Sequence, residues 1–168
     1  MTRPKRKRNR LSGYDYSRDG AYFLTLCIRD WQCILWDTAD AVGARNARLL
    51  LEQSALSEVG LLIDAKINLI PQIYPDVIVD AYVIMPNHIH IMLVIKAIGD
   101  SSNGRALRAP TVSRVVNQLK GAVTKELGRP IWQKSFYDHI IRDEDDYWTY
   151  IIEIDENPEV WTYDEYNI

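Results

Sequence analysis

The pattern of hydrophobic and polar residues along the chain predicts four β-strands. Residues 21–28, 77–84 and 88–95 are rich in β-branched and aromatic side chains and are bordered by glycine, proline or asparagine, which is typical of strands. Residues 131–141 form a fourth extended segment. Because only residues 85–87 separate the second strand from the third, we expect these two strands to form an antiparallel hairpin.

Three further segments carry helical patterns. Apolar residues recur every three or four positions within residues 47–70, which predicts an amphipathic helix. A second helix is expected from a cap at Thr111 or Ser113 to about Leu127, and a third over residues 143–156. The order β-α-β-β-α-β, followed by one extra helix, predicts an α+β fold. It is the ferredoxin-like split βαβ arrangement, an antiparallel sheet with two helices on one face.

Length and composition indicate one globular domain. The chain has 168 residues, of which 47% are hydrophobic and 26% are charged, and we expect a single domain over residues 13–168. No apolar run reaches about 18 residues, and the basic N-terminus is not followed by an apolar stretch, so neither a membrane span nor a secretory signal is expected. Cys27 and Cys33 are expected to be reduced thiols, which favours the cytoplasm.

Charge is distributed unevenly along the chain. Six basic side chains lie within residues 1–10, so the remainder carries a net charge of −9 although the whole chain carries −3. The segment from Asp143 to the C-terminus contains ten acidic residues and no lysine or arginine. Residues 1–12 therefore predict a flexible basic arm, which either contacts phosphates or only keeps the protein in solution.

Two of the three histidines, His88 and His90, begin the third predicted strand. Residues i and i+2 of a strand point to the same face, so the two imidazoles are expected side by side while Ile89 points into the core. Such a pair is either structural or shares a divalent metal. A hard cation such as Mg²⁺ or Mn²⁺ would need further oxygen ligands, and the lack of a cysteine nearby in sequence disfavours a closed zinc site.

The last predicted helix carries a polar stripe. Tyr150, Glu153 and Asn157 are spaced three and four residues apart, which places them on one helical face together with Asp146. Polar residues on one face of a helix usually only contact solvent. The alternative is that it covers the histidine-bearing face of the sheet and brings an oxygen ligand and a nucleophile to the metal.

Several segments together resemble the REP-associated tyrosine transposases, which are relatives of the HUH single-strand insertion-sequence transposases. The resemblance extends from about residue 10 to residue 161. It depends most on the combination of two segments, and shorter matches accompany them. The two main segments are PNHIHI at 86–91 and WQKSFYDHIIRDEDDY at 132–147, and the shorter ones are GYDY at 13–16, GAYFLT at 20–25 and IDENP at 154–158.

The resemblance implies a metal-dependent reaction on single-stranded DNA that flanks a hairpin. In that family two histidines and an oxygen-bearing helix residue hold Mg²⁺ or Mn²⁺, and a tyrosine on the last helix attacks the scissile phosphate. The attack gives a 5′-phosphotyrosine and a free 3′ hydroxyl. His88, His90 and Asn157 match the ligand positions. The implied protein is a transposase or nickase of the bacterial cytoplasm, associated with the nucleoid, and the sequence leaves monomer and homodimer open.

One position departs from the family pattern. The nucleophilic tyrosine is expected four residues before Asn157, where this chain has Glu153. A carboxylate can bind the metal but is a poor candidate for the phosphotyrosine step. Tyr150 lies one turn earlier on the same face and is the candidate substitute, although its hydroxyl would have to shift by about 5 Å along the helix axis.

The candidate DNA contacts are cationic or aromatic side chains. They are Arg6, Lys7, Arg8 and Arg10 in the arm, Lys120 on the second helix and Trp132 in the fourth strand. Simple surface exposure of Lys120 and core packing of Trp132 are the alternatives. Three functions are open: a DNA transposase or nickase, a catalytically inactive hairpin-DNA-binding protein, and an unrelated ferredoxin-like metalloenzyme or ligand-binding module without affinity for single-stranded DNA. The presence of Glu153 at the expected tyrosine position is the feature that distinguishes the first function from the second.

Overall fold

The computed structural model describes residues 14–16, 18–37, 56–96, 110–158 and 161. The predicted basic arm, with Arg6, Lys7, Arg8 and Arg10, lies outside the described residues, as does most of the predicted loop after the third strand. The described part contains four strands, three helices of more than ten residues and shorter helical turns.

Within the described residues, the four strands form an antiparallel sheet with the order β2-β3-β1-β4. The strands are β1 at Gly20–Cys27, β2 at Val77–Ile84, β3 at His88–Ile95 and β4 at Tyr137–Ile140. β2 and β3 form the predicted hairpin, and β1 pairs with both β3 and β4. The predicted α+β fold with a ferredoxin-like split βαβ sheet is confirmed.

The three long helices begin at side-chain caps, each of which accepts a hydrogen bond from a backbone N–H group of the first turn. α1 spans Glu58–Asn68, α2 is the short helix Ile70–Ile73, α3 spans Val112–Leu127 and α4 spans Glu144–Glu156. The caps of α1, α3 and α4 are Ser57, Thr111 and Asp143. Thr111, rather than Ser113, therefore starts the second long helix.

The first helix starts later than the hydrophobic spacing predicts. Leu56 forms a β-bridge with Trp36, and Ser57 donates its backbone N–H to the Leu35 carbonyl, so the helix cannot begin before Glu58. The prediction that a helix covers residues 47–70 is therefore wrong at Leu56 and Ser57, while residues 47–55 lie outside the described part.

The fourth strand is shorter than the predicted segment 131–141. Trp132 pairs separately with Ile28, and the strand resumes only at Tyr137. Between them, the carbonyls of Gln133 and Ser135 accept hydrogen bonds from the Lys120 ammonium at 3.0 and 2.9 Å. A side chain from α3 thus takes the place of a neighbouring strand over this stretch.

α1 and α3 cover one face of the sheet. Tyr82 of β2 lies opposite Ile91 in the pairing, and its hydroxyl donates to Asp64 of α1 at 2.6 Å. Lys66 of α1 forms an ion pair with Glu126 of α3 at 2.5 Å, so the two helices lie side by side. Their buried apolar residues and the odd-numbered residues of β3 form the core.

α4 packs against the opposite face of the sheet. Its Tyr150 ring contacts Phe23 of β1, which shares a face with Thr25 and therefore with its partner His90. The Tyr147 hydroxyl of α4 donates to the Asp80 carboxylate of β2. The closing helix therefore covers the histidine-bearing face, as one of the two interpretations of its polar stripe requires. No helix in the described ranges is long and apolar enough to cross a membrane.

Candidate metal centre and adjoining pocket

The two histidines of β3 lie on the face that α4 covers, and they are almost completely buried. His88 is 0% exposed and His90 is 2% exposed. In the strand pairing, Cys27 lies opposite His88 and Thr25 lies opposite His90. The two imidazoles are therefore held by a central strand that has hydrogen-bonded neighbours on both sides, which fixes their positions.

The two imidazoles converge on each other. The Nε2 atoms of His88 and His90 are 3.0 Å apart, while their Nδ1 atoms contact Asn87 Oδ1 at 2.9 Å and Thr25 Oγ1 at 3.0 Å. The Asn87 amide also donates to the Trp31 carbonyl at 3.5 Å, which orients its oxygen toward His88. Because an amide oxygen only accepts, His88 carries its proton on Nδ1 and presents a lone pair at Nε2.

Thr25 gives His90 a choice of tautomer, since a hydroxyl both donates and accepts. When His90 donates through Nε2 to His88, Thr25 donates to Nδ1 of His90. When Thr25 accepts from Nδ1, both Nε2 atoms present lone pairs to the same point. This second arrangement is the one in which an outer partner fixes each metal-binding imidazole.

Burial keeps both rings neutral at physiological pH. It lowers the pKa of His88 to about 3, with a further contribution from neighbouring His90, and it lowers the pKa of His90 to about 4. A neutral imidazole is the form that binds metals. Neither ring therefore has to lose a proton at physiological pH before the pair binds a cation.

Asn157 carries a buried side-chain oxygen. It caps the C-terminal end of α4 and is 6% exposed, and its Oδ1 atom has no hydrogen-bond partner among the described residues. A buried amide oxygen left unsatisfied is costly, and a cation would satisfy it. The ring of Trp161, just beyond α4, lies 6.1 Å from the ring of His88.

The donor set fits Mg²⁺ or Mn²⁺ better than zinc. Although Cys27 lies opposite His88, the described residues contain no cluster of three His, Cys, Asp or Glu side chains that could hold a metal. A closed zinc site would need such a cluster. Two neutral nitrogens and an amide oxygen leave positions open for phosphate oxygens, which magnesium and manganese favour.

A pocket of about 290 Å³ adjoins the histidine pair. It contains both sequence-predicted catalytic candidates, Tyr150 and Glu153, together with His90. Two residues of the predicted polar stripe of α4 therefore face the pocket beside His90, whereas Asn157 is not among its lining residues. The remaining lining residues come from β1 and β4, and they are Phe23, Thr25, Tyr137, Asp138 and His139.

The ring of Tyr150 packs against two other aromatic rings. Phe23 lies 4.4 Å away and His139 lies 4.6 Å away, measured between ring centroids. Burial raises the pKa of Tyr150, and the charges of Glu153 and Asp146 raise it further. The phenol is thus located at the pocket but is not acidified by its surroundings.

The two described DNA-contact candidates lie together just beyond the C-terminal end of β1, where Trp132 pairs with Ile28. The Lys120 ammonium is 5.8 Å from the centre of the Trp132 ring, and Trp132 is 6% exposed. Burial lowers the pKa of Lys120 to about 8. The Lys120 ammonium already donates to two backbone carbonyls. Contact of Lys120 with a DNA phosphate and stacking of Trp132 on a DNA base remain predictions.

Sequence reasoning gave no role to Asn87, Thr25 and His139, which the structure connects with the site. Asn87 and Thr25 orient the imidazoles, and His139 is paired with Asp146 beside the pocket. Asn87 directly precedes the histidine pair, which is a usable signal, since buried asparagine at the start of a strand needs a partner. Thr25 and His139 are revealed only by strand pairing.

We expect Asn87→Leu to weaken Mn²⁺ binding by about 10- to 100-fold, because loss of the outer partner releases the His88 tautomer and ring orientation. Isothermal titration calorimetry of the full chain with Mn²⁺ would measure the change. Asn117→Leu, an exposed substitution on α3, is the matched control and should leave the affinity unchanged. Wild-type affinity in Asn87→Leu would show that Asn87 does not support the site.

Comparisons with known proteins agree with this architecture. No protein-family model matches the chain. An uncharacterized protein of Haemophilus influenzae is 30% identical over 176 aligned positions, which cover 95% of this chain and 92% of that protein. A solved REP-associated tyrosine transposase bound to a REP hairpin is 22% identical and superposes with a TM-score of 0.54, covering 88% of this chain and 73% of that one. The chain therefore belongs to the same family as the Haemophilus influenzae protein and has the fold of a REP-associated tyrosine transposase.

Proposed function

We propose that this protein is a metal-dependent transposase or nickase that acts on single-stranded DNA beside a hairpin. One observation carries the proposal: His90, whose Nε2 atom lies 3.0 Å from that of His88, lines a pocket together with Tyr150 and Glu153 of α4. The solved protein of the same fold binds a REP hairpin, and we extend hairpin DNA to this chain as its partner.

His88, His90 and Asn157 would hold Mg²⁺ or Mn²⁺. When bound, the cation supplies charge stabilisation to a scissile phosphate. The protein supplies the rest: β1 and β3 fix the imidazoles through Thr25 and Asn87, and α4 closes the site. The pocket of about 290 Å³ is where the phosphate and its flanking nucleotide would lie.

Tyr150 is our candidate nucleophile because it is the only tyrosine that α4 contributes to the pocket lining. Its hydroxyl oxygen would attack the phosphorus, forming a tyrosine–phosphorus bond and releasing the 3′ oxygen of the DNA. The stacking of its ring on Phe23 holds the phenol in place for this step.

A second function is supported by Glu153. This carboxylate stands at the family's nucleophile position and lines the pocket, where its charge raises the pKa of Tyr150. The expected tyrosine is therefore missing, and the phenolate form of Tyr150 is disfavoured. Both effects favour a hairpin-DNA-binding protein that has lost strand cleavage while keeping the fold and the histidine pair.

A covalent-adduct assay separates the two functions. We expect wild-type protein, incubated with Mn²⁺ and a pool of hairpin-bearing single-stranded oligonucleotides with randomised flanks, to form a denaturation-resistant protein–DNA adduct that Tyr150→Phe does not form. Tyr147→Phe, one turn earlier on α4, is the control. An adduct in Tyr150→Phe would refute Tyr150 as the nucleophile, and hairpin binding without any wild-type adduct would favour the second function.

DNA affinity should fall steeply with salt if the arm clamps phosphates. Each lost contact to a single strand reduces the slope of log K against log salt by about 0.7. Replacing Arg6, Lys7, Arg8 and Arg10 by alanine should therefore reduce the slope by about 3, measured by fluorescence anisotropy between 50 and 300 mM NaCl. An unchanged slope would mean that the arm does not touch DNA.

A further inference from the structure

His139 and Asp146 form a pair beside the pocket that the family resemblance does not assign. The His139 Nε2 atom lies 3.0 Å from Asp146 Oδ1 and 2.9 Å from Asp146 Oδ2. The Asp146 carboxylate also accepts the backbone N–H of Arg142 at 3.0 Å, so it is held from the β4–α4 connection as well. The pair joins β4 to the first turn of α4.

The pairing fixes the tautomer of His139. A carboxylate only accepts, so in the neutral imidazole of His139 the proton is on Nε2 and Nδ1 presents a lone pair. The hydrogen bond from His139 lowers the pKa of Asp146, which stays ionised. A histidine held in one tautomer by a carboxylate is the arrangement of a general base with its orienting group.

The position of His139 links this base to the nucleophile candidate. His139 lies opposite Phe23 in the β1–β4 pairing, lines the pocket, and packs its ring against Tyr150 with centroids 4.6 Å apart and planes at 37°. Asp146 and Tyr150 are one helical turn apart on α4. Asp146 therefore contacts the imidazole of His139, and that imidazole contacts the ring of Tyr150.

Several other titratable groups face the same space. They are Tyr137 and Asp138 on β4, His90 on β3 and Glu153 on α4. His139 is an imidazole that the charged Asp146 carboxylate orients through its Nε2 atom.

Building on the proposed strand cleavage, we propose that His139 is the general base that takes the proton from Tyr150, with Asp146 as its positioning residue. The Tyr150 O–H bond breaks and its proton moves to Nδ1 of His139, while the phenol oxygen bonds to phosphorus. The P–O3′ bond breaks, its electron pair goes to the 3′ oxygen, and that oxygen takes a proton from solvent water. His139 then returns its proton to solvent.

The raised pKa of Tyr150 explains why such a base is needed. A phenol disfavoured as phenolate by burial and by neighbouring carboxylates must lose its proton during attack rather than before it. The base therefore compensates for the carboxylate that Glu153 places in the pocket.

The test compares His139→Ala, Asp146→Asn and wild type in single-turnover adduct formation with Mn²⁺ and the hairpin oligonucleotide pool. We expect His139→Ala to lower the rate by about 10²- to 10⁴-fold, with unchanged hairpin affinity, and added imidazole to restore part of it. Asp146→Asn should also lower the rate, because its amide can donate to Nε2 and shift the His139 proton to Nδ1. In metal-free protein, ¹⁵N NMR of the His139 ring should show the Nε2–H tautomer in wild type and its loss in Asp146→Asn.

The outcomes separate this inference from the proposed function. A wild type that forms no adduct overturns strand cleavage and the base with it. An active wild type whose His139→Ala variant keeps full activity overturns the base alone. A loss in His139→Ala that imidazole does not restore, accompanied by an equal loss of hairpin affinity or melting temperature, assigns His139 a structural role instead.

Discussion

His88→Ala is expected to abolish Mn²⁺ binding, lowering the affinity of the full chain by more than about 100-fold. Removal of an outer partner of a metal ligand alone typically costs 10- to 100-fold, and loss of the ligand itself costs more. His88 is one of only two imidazoles that converge on the candidate site, with Nε2 3.0 Å from that of His90. Isothermal titration calorimetry and Mn²⁺ electron paramagnetic resonance would both report the loss.

His139→Ala is the matched control for metal binding, because His139 pairs with Asp146 and not with the two histidines of β3. It should bind Mn²⁺ as wild type does. Circular dichroism of both variants would check folding, since His88 is fully buried. Undiminished Mn²⁺ affinity in folded His88→Ala would remove the metal centre and with it the support for strand cleavage.

The pH dependence of Mn²⁺ binding gives a second measurement on the same site. Two ordinary histidines, with pKa values near 6.5, would take up protons below that pH and weaken binding by roughly 1000-fold at pH 5. Here the pKa values are about 3 for His88 and about 4 for His90, so protons compete only below about pH 4. Affinity should therefore change less than about threefold between pH 5 and pH 8.

The strands could be predicted closely because their signals are local. The second and third strands were expected at 77–84 and 88–95, and the structure has Val77–Ile84 and His88–Ile95. The side chains of the third strand are buried on both faces of the sheet, which produces a long apolar run that the sequence reveals directly. The start of α1 could not be predicted, because a bridge between Leu56 and the distant Trp36 determines it.

The candidate site was predictable where its parts are close in sequence. Strand alternation brought His88 and His90 together, and helical spacing aligned Tyr150, Glu153 and Asn157. The convergence of these two groups depends on which face α4 covers, which the sequence left open. The position where β4 begins depends on Lys120, whose ammonium donates hydrogen bonds to two carbonyls of the preceding segment. Such an interaction leaves no periodic signal in the sequence.

Gly60→Ala is expected to destabilise the protein by about 3 kcal/mol, the upper part of the range for forced overpacking. A Cβ atom at Gly60 would lie 2.3 Å from the Leu35 carbonyl oxygen and 3.2 Å from two Leu56 side-chain carbons. The Leu35 backbone cannot yield easily, because its carbonyl accepts from Ser57 N–H and its own N–H donates to the Pro86 carbonyl, both at 3.0 Å. The melting temperature should fall by about 10 °C for a domain of this size.

Gly121→Ala is the matched control, with an expected effect of opposite sign. Gly121 lies within α3, is exposed, and a Cβ atom there would meet nothing within 4 Å. Alanine at an exposed helix interior stabilises by about 0.5 to 1 kcal/mol, since glycine loses more backbone freedom on folding. Thermal and urea unfolding of both variants would measure the difference. Equal stabilities of the Gly60→Ala and Gly121→Ala variants would mean that the Leu35 carbonyl is not held against α1. Leu35 would then not anchor the Pro86–Asn87 turn that precedes the histidine pair.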